Sequence, residues 1–220
     1  MCIRDRVLRE IAASFLLGVY WLTDLRRPFL PLLSATDAST DYGFGALVAK
    51  IPPAHVQRIA RTAEKQGDFV VLDGGTLSGA AAGRLGEAHH IDLSMDDFVD
   101  VFSVRVRHRA HINVLEGEAF VLWQRWLLRT RRRHSTRVVV LVDSAVWCGA
   151  AAKGRSSTQL NRLLRRAAAL EMMGDVHVHL VFVPSGENPS DFPSRGDRRR
   201  ACNKHSGCPT APPPSRSKWT

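Results

Sequence analysis

Three apolar runs in this chain end on, or shortly before, a carboxylate. Leu32-Leu33-Ser34-Ala35-Thr36-Asp37-Ala38-Ser39 delivers Asp37, and Arg137-Val-Val-Val-Leu-Val-Asp143-Ser144 delivers Asp143. The run Val176-His-Val-His-Leu-Val-Phe-Val183 is followed, across a short polar loop, by Asp191. A run of branched aliphatics reads as a strand buried on both faces. An acid at its carboxyl end sits where open α/β sheets gather their chemistry. Three strand ends that each present an acid suggest a shared metal site, because hard divalent cations take oxygen ligands.

The charge distribution sharpens that reading. The chain carries a formal net charge of +10, with ten Lys/Arg against thirteen Asp/Glu in residues 1–100 and twenty-one against eight in residues 101–220. The second half is therefore the polyanion-facing half. Asp143 and Asp191 are two of only eight carboxylates there, so each needs a specific reason to be present. Binding a divalent cation is such a reason.

At 220 residues and 45% apolar content the chain can bury one ordinary core, which sets an expectation of one domain plus extensions. Cys2, Cys148, Cys202 and Cys208 have no regular spacing and no matched histidine pair, so neither a disulfide framework nor a zinc site is indicated. Cys202 and Cys208 with His205 make half a zinc knuckle without a second half, so reduced thiols in an intracellular protein are expected. Ile11 to Leu22 is too short to span a bilayer and follows Asp5 and Glu10, unlike a signal peptide. It reads as a buried helix ended near Pro28, within an extension over residues 1–31. Met1 to Arg6 reads as adaptor-derived, with the natural chain beginning further upstream.

Periodicity supplies the elements that would carry the acids. After the break at Pro28 and Pro31, Leu32–Ala38 and Gly43–Ile51 read as a hairpin closed by the turn over residues 39–42. Residues 54–66 have helical spacing, and residues 67–98, with Gly74, Gly75 and Gly79, read as a long loop or insertion. Phe98–His108 alternates as a third strand at or near a sheet edge. Asn113 to Arg133 is the clearest helix, with Asn113 as cap and Glu116 as a capping-box acid. Its last turn, Arg129, Arg131, Arg132 and Arg133, complements the negative end of the helix dipole. Val138–Val142 is strand four, Ser157–Met173 a second helix and Val176–Val183 strand five. Beyond Arg200 the Pro-, Ser- and basic-rich residues 201–220 read as a disordered tail.

The resulting order is hairpin, third strand, helix, strand, helix, strand, with acids at Asp37, Glu116, Asp143 and Asp191. It resembles the ribonuclease H fold, in particular the ribonuclease H domain that follows reverse transcriptase in retrotransposons. The resemblance is carried by Thr36-Asp37-Ala38-Ser39 with Gly43-Phe44-Gly45-Ala46, His111-Ile112-Asn113-Val114-Leu115-Glu116-Gly117, Val142-Asp143-Ser144, Lys153-Gly154-Arg155-Ser156-Ser157, and Asn188-Pro189-Ser190-Asp191-Phe192-Pro193-Ser194-Arg195. Each motif is weak alone; five in order cover roughly residues 32–195. Residues 7–31 look similar to the stretch joining a polymerase to its ribonuclease H, which places the domain at residues 32–200 with an insertion at about 52–97.

This resemblance implies an α/β fold with a five-stranded mixed sheet, an antiparallel hairpin plus parallel strands, flanked by helices. It implies hydrolysis of the RNA strand of an RNA–DNA hybrid by two magnesium ions, manganese being the alternative, with no small-molecule cofactor and no membrane. By motif, Asp37 would bridge both ions, Glu116 and Asp143 would hold the first, and Asp191 the second. The polymerase domain of the reverse transcriptase is the implied partner and is absent from this chain. Nucleic acid would meet Lys153, Arg155, Ser156 and Ser157 at a helix start suited to phosphate, extended by Arg162, Arg165 and Arg166. Ser39, Asn113, Asn188 and Arg195 complete the expected contact set.

Blander roles compete for these residues. Asp37 can be a turn-forming Asx residue, Glu116 a capping acid with Glu118 as the family residue, and Asp191 the cap of a final helix. Trp147 divides evenly between stacking on nucleic acid and packing in the core. His177 and His179, inside a strand, read as structural. Ser144 lacks a histidine–acid pair to activate it. The chain departs from the family pattern in having no histidine in the loop from Pro184 to Ser190, in the long stretch from Pro52 to Asp97, and in the short span after Asp191. Rival functions are an integrase-like polynucleotidyl transferase, disfavoured because Glu116 precedes Asp143, and a catalytically inactive nucleic-acid-binding connection domain.

Overall fold

The apolar runs form one five-stranded sheet in the computed structural model, which describes residues 3–18, 24, 26–64, 67–74 and 86–197. In chain order the elements are α1 (Ile3–Leu17), β1 (Phe29–Ala38), β2 (Gly43–Lys50), α2 (Pro53–Ala60), β3 (Phe69–Leu72), β4 (Ala88–Ile91) and β5 (Val99–Arg105). They continue as α3 (Ile112–Leu128), β6 (Arg137–Val142), α4 (Ala145–Lys153), α5 (Thr158–Gly174), β7 (His177–Phe182) and α6 (Asp191–Ser194). The main sheet has the order β5-β2-β1-β6-β7. β2 is antiparallel to β1 and β5, while β1, β6 and β7 run parallel. This is the five-stranded mixed sheet expected from the sequence, an antiparallel hairpin plus parallel strands, with β5 at an edge.

Successive side chains of a strand point to opposite faces, and β6 shows the consequence. Val138, Val140 and Val142 pack with Phe120, Trp123 and Leu127 of α3, Trp147 of α4, and Leu160, Leu163 and Ala167 of α5. Val139 and Leu141 face the other way, joining Leu33, Ala35, Leu47 and Val181 against Val56 and Ile59 of α2, Val70 and Leu72 of β3, and Ile91 of β4. All five β6 residues from Val138 to Val142 are at most 1% exposed. Fully burying one such side chain contributes about 1.5–3 kcal/mol. α3 closes on α4 at Gly117, where a Cβ would come within 2.6 Å of Trp147 Cζ3.

The structure corrects several expectations. Residues 67–98 are not simply a loop: β3 and β4 form a parallel pair, and with α2 they pack on one face of the sheet. α1 starts at Ile3, and its described side chains up to Leu17 are exposed, with Phe15 85% and Leu16 78% exposed, so Ile11 to Leu17 is not a buried helix. Its remaining part, residues 19–22, lies outside the described residues. Pro31 does not break β1, which begins at Phe29; the pairing with β6 shifts register between Phe29 and Leu33, an irregularity that accommodates a residue without an N–H. α3 ends at Leu128, and Arg131–Arg133 form a separate 3₁₀ turn in which Arg133 lies over the Trp126 ring. α4 was not anticipated. Residues 201–220, read as a tail, and Cys202, His205 and Cys208 lie outside the described residues. Among those residues no helix is long and apolar enough to cross a membrane.

Candidate active site

β1 and β6 are central, adjacent and parallel, and from this pair the chain proceeds to β2 on one side and β7 on the other. Their carboxyl ends therefore form a topological switch point, the crevice where α/β sheets bind ligands. Asp37 sits at the end of β1, Asp143 one residue beyond β6, and Glu116 on the second turn of α3. One carboxylate oxygen from each of Asp37, Glu116 and Asp143 lies within 4.8 Å of the others. Asp37 is 4% and Glu116 9% exposed.

Three carboxylates so close and so dry cannot all ionise at ordinary cost. Burial, then the charge of Asp143, pushes Asp37 up to about 7 from 3.8, against a hydrogen bond from Ser194. Burial and the charges of Asp37 and Asp143 push Glu116 up to about 9 from 4.5. Asp143 is raised as well, chiefly by burial, while hydrogen bonds from Ser185 and Asn188 pull the other way. Its Oδ1 is buried without a hydrogen-bond partner.

Asp191 is outside this tight group. It opens α6, its charge acts on both Asp37 and Asp143, and its Oδ1 accepts from Arg195 Nε at 2.8 Å. Arg195 is thus engaged with an acid through Nε while its side chain stays 63% exposed. The Ser194 hydroxyl donates to Asp37 Oδ2, and α6 is held to β5 by Ser103 Oγ donating to the Pro193 carbonyl at 2.7 Å. Ser194 stands inside the last quoted motif but was not singled out from sequence; no local pattern marks a serine that must reach a residue 157 positions away.

Glu116 does not cap its helix. His111 is the cap, with Nδ1 accepting from Asn113 N at 3.3 Å, so Asn113 is a helical residue and Glu116 lies beyond the reach of a capping box. Glu118 points elsewhere, 3.1 Å from His108 Nε2. Trp147 is 1% exposed and packs at 5.4 Å from Phe120, which settles it in the core. Ser144 caps α4, accepting from Trp147 N at 3.2 Å. His179 is buried against Phe29, and burial lowers it to about 4.

The expected nucleic-acid contacts divide. Lys153, Arg155, Ser156, Ser157, Arg162, Arg165 and Arg166 are exposed along the end of α4 and the start of α5. The Ser156 N–H is already taken by Asn161 Oδ1 at 2.7 Å. Ser39 is half-buried and accepts from Asp41 N at 3.2 Å. Asn188 is 1% exposed and cannot be a surface contact; its Nδ2 donates to the Thr36 carbonyl at 3.1 Å, and its Oδ1 accepts from Ser190 N. Packing of the loop onto β1 buries it.

A second group, Asp68, Glu87 and His89, brings its ligand atoms within 4.8 Å of one another. Asp68 already accepts from Glu87 N at 3.0 Å and pairs with His89 Nε2 at 2.6 Å, which explains the group as a clasp joining the starts of β3 and β4.

No known protein family matches the sequence, and no curated protein does. The chain is similar in structure to the N-terminal RNase H domain of rv2228c from Mycobacterium tuberculosis, solved as a maltose-binding-protein fusion. Identity is 15%, covering 77% of this chain and 100% of that one, with a TM-score of 0.40. It is also similar to RNase H1 from the halophilic archaeon Halobacterium salinarum NRC-1, at 14% identity, 73% and 91% coverage and a TM-score of 0.40. A third similar structure is LC11-RNase H1 in complex with an RNA/DNA hybrid, at 15% identity, 76% and 95% coverage and a TM-score of 0.42. Likenesses this distant do not assign an activity.

Proposed function

We propose that this chain is a divalent-metal-dependent nuclease that hydrolyses the RNA strand of RNA–DNA hybrids, acting within a retroelement reverse transcriptase. The observation that carries this reading is the convergence of Asp37, Glu116 and Asp143 at the switch point, with ligand oxygens within 4.8 Å of one another. Buried acids that repel one another in this way are satisfied by protons or by a cation. The all-oxygen donor set and the unpartnered Asp143 Oδ1 suit a hard ion such as magnesium, with manganese the alternative.

Asp37, Glu116 and Asp143 would hold one ion; Asp191, together with Asp37, would hold a second. Such ions, when bound, lower the pKa of the attacking water and neutralise the leaving oxygen of an in-line phosphoryl displacement. The chain's own residues prepare that chemistry. Ser194 fixes one oxygen of Asp37, and Ser185 and Asn188 orient Asp143. Burial of Asp37 and Glu116 keeps water from screening the charge that develops at the phosphate. Lys153, Arg155 and Arg162, with Ser156 and Ser157 at the start of α5, receive backbone phosphates, so the duplex is read by shape and 2′-hydroxyls more than by sequence. The retroelement assignment is supported by the order of the five motifs between residues 36 and 195.

The test uses end-labelled RNA–DNA hybrid, RNA duplex and DNA duplex of one sequence, each with Mg2+ or with EDTA. Cleavage of RNA in the hybrid alone, only with Mg2+, is expected. Equal cleavage of the RNA duplex, or cleavage that survives EDTA, contradicts the proposal.

A further inference from the structure

Glu187 lies in the turn between β7 and α6, where an acidic side chain that is 3% exposed needs a reason to be buried. Its Oε2 accepts a hydrogen bond from the Leu72 amide at 3.1 Å, a contact 115 residues apart in sequence. Leu72 ends β3, so the bond ties the turn to the segment inserted between β2 and β5. The same segment packs on β7 through Phe69 and Val71 against Phe182.

On either side of Glu187 the turn reaches the candidate metal centre. Asn188 Nδ2 donates to the carbonyl of Thr36, the residue before Asp37, and Ser190 N and Oγ lock the Asn188 amide in place. The side chains of Ser185 and Asn188 stand beside the Asp143 carboxylate and favour its ionised form. Ser185, Glu187, Asn188 and Ser190 thus link the inserted segment to the carboxyl ends of β1 and β6.

From this geometry we infer that Glu187 is a positioning residue: by accepting from Leu72 N it pins the turn so that Ser185 and Asn188 hold Asp143 and the end of β1 in metal-binding register, making the 52–97 segment part of the active-site support. This rests on the proposed metal centre and names what holds it. The requirement is for an acceptor at that point. Outer partners that orient ligating carboxylates typically matter about 10- to 100-fold in metal affinity or activity.

The whole chain and the variants Glu187→Gln, Glu187→Met, Ser185→Ala and the Met/Ala double are titrated with Mn2+ and assayed on an RNA–DNA hybrid, with thermal unfolding measured alongside. Glu187→Met keeps the length and removes the acceptor; it is expected to weaken Mn2+ binding about 10- to 100-fold. Glu187→Gln keeps an acceptor and is expected to restore binding. The double variant is expected to bind no worse than the weaker single one, because both changes break one linkage. Met binding Mn2+ like the wild type, Gln failing like Met, or losses that multiply would each overturn the inference. Should Glu187→Met fail to fold, hydrogen exchange of the wild-type Leu72 amide decides: slowing on Mn2+ addition supports the linkage, and no change overturns it. Mn2+ binding without hybrid cleavage would sink the proposed activity while the variants still judge this inference; no Mn2+ binding by the wild type would sink both.

Discussion

Asp37 on β1 pairs across the sheet with Gly45 on β2, and the space a Gly45 side chain would fill is occupied by the backbone of α6. A Cβ there would stand 2.5 Å from Ser194 N and 2.7 Å from the Ser190 carbonyl oxygen. The bare strand lets α6 lie at the register of the acid itself. That contact brings the Ser194 hydroxyl to Asp37 and sets Asp191 beside it.

Gly45→Ala should therefore lift α6 off the sheet. Backbone cannot yield as a flexible side chain does, so a destabilisation of about 1–3 kcal/mol is expected. Activity should fall further than the stability loss explains, because Asp191 moves with α6. Urea unfolding and hybrid cleavage on the same preparation check this; a variant with wild-type values in both would contradict the contact.

Ser194→Ala removes the donor to Asp37 without changing the backbone. Outer-partner losses of about 10- to 100-fold in metal affinity or activity are expected. The Mg2+ dependence of hybrid cleavage should shift to higher concentration, and an unchanged Mg2+ dependence would show that the hydroxyl does not hold the carboxylate.

The raised acids also make a stability prediction. Asp37 at about 7 and Glu116 at about 9 bind protons more tightly folded than unfolded, where 3.8 and 4.5 apply. Their contribution is fully present below about pH 4 and is lost as pH rises through the folded values. In EDTA, the melting temperature should fall between about pH 5 and pH 9, and added Mg2+ should reverse the fall at the alkaline end. Asp37→Asn should flatten the slope. A melting temperature that rises over this range in EDTA would contradict the burial of these carboxyls.

The main sheet was legible because its strands are apolar runs, as in Val138–Val142, or apolar–polar alternations, as in Val99–Arg105, and Asp37 and Asp143 could be read from the ends of two of the runs. What stayed hidden has physical causes. β3 is only Phe69–Leu72, too short for a period to show, and β4, Ala88-His-His-Ile91, has no apolar alternation and gains its stability from pairing with β3. α4, Ala145–Lys153, is mostly small residues around one buried tryptophan and offers little amphipathic contrast. Asn188 looked like a surface contact because polarity in a sequence does not distinguish a side chain that faces solvent from one that ties a loop to a strand. The roles of Ser194 and Glu187 depend on contacts between distant parts of the chain, which no local spacing encodes.

The most direct test is hybrid cleavage under Mg2+ by the wild type and by Asp37→Asn, Glu116→Gln, Asp143→Asn and Glu118→Gln in parallel. Glu118 is the matched control: the same residue type, two positions from Glu116, turned toward His108. The three convergent acids should each lose at least about 100-fold in rate, and Glu118→Gln should cleave like the wild type. Cleavage by Glu116→Gln or Asp143→Asn at the wild-type rate, or a loss in Glu118→Gln equal to theirs, would contradict the account.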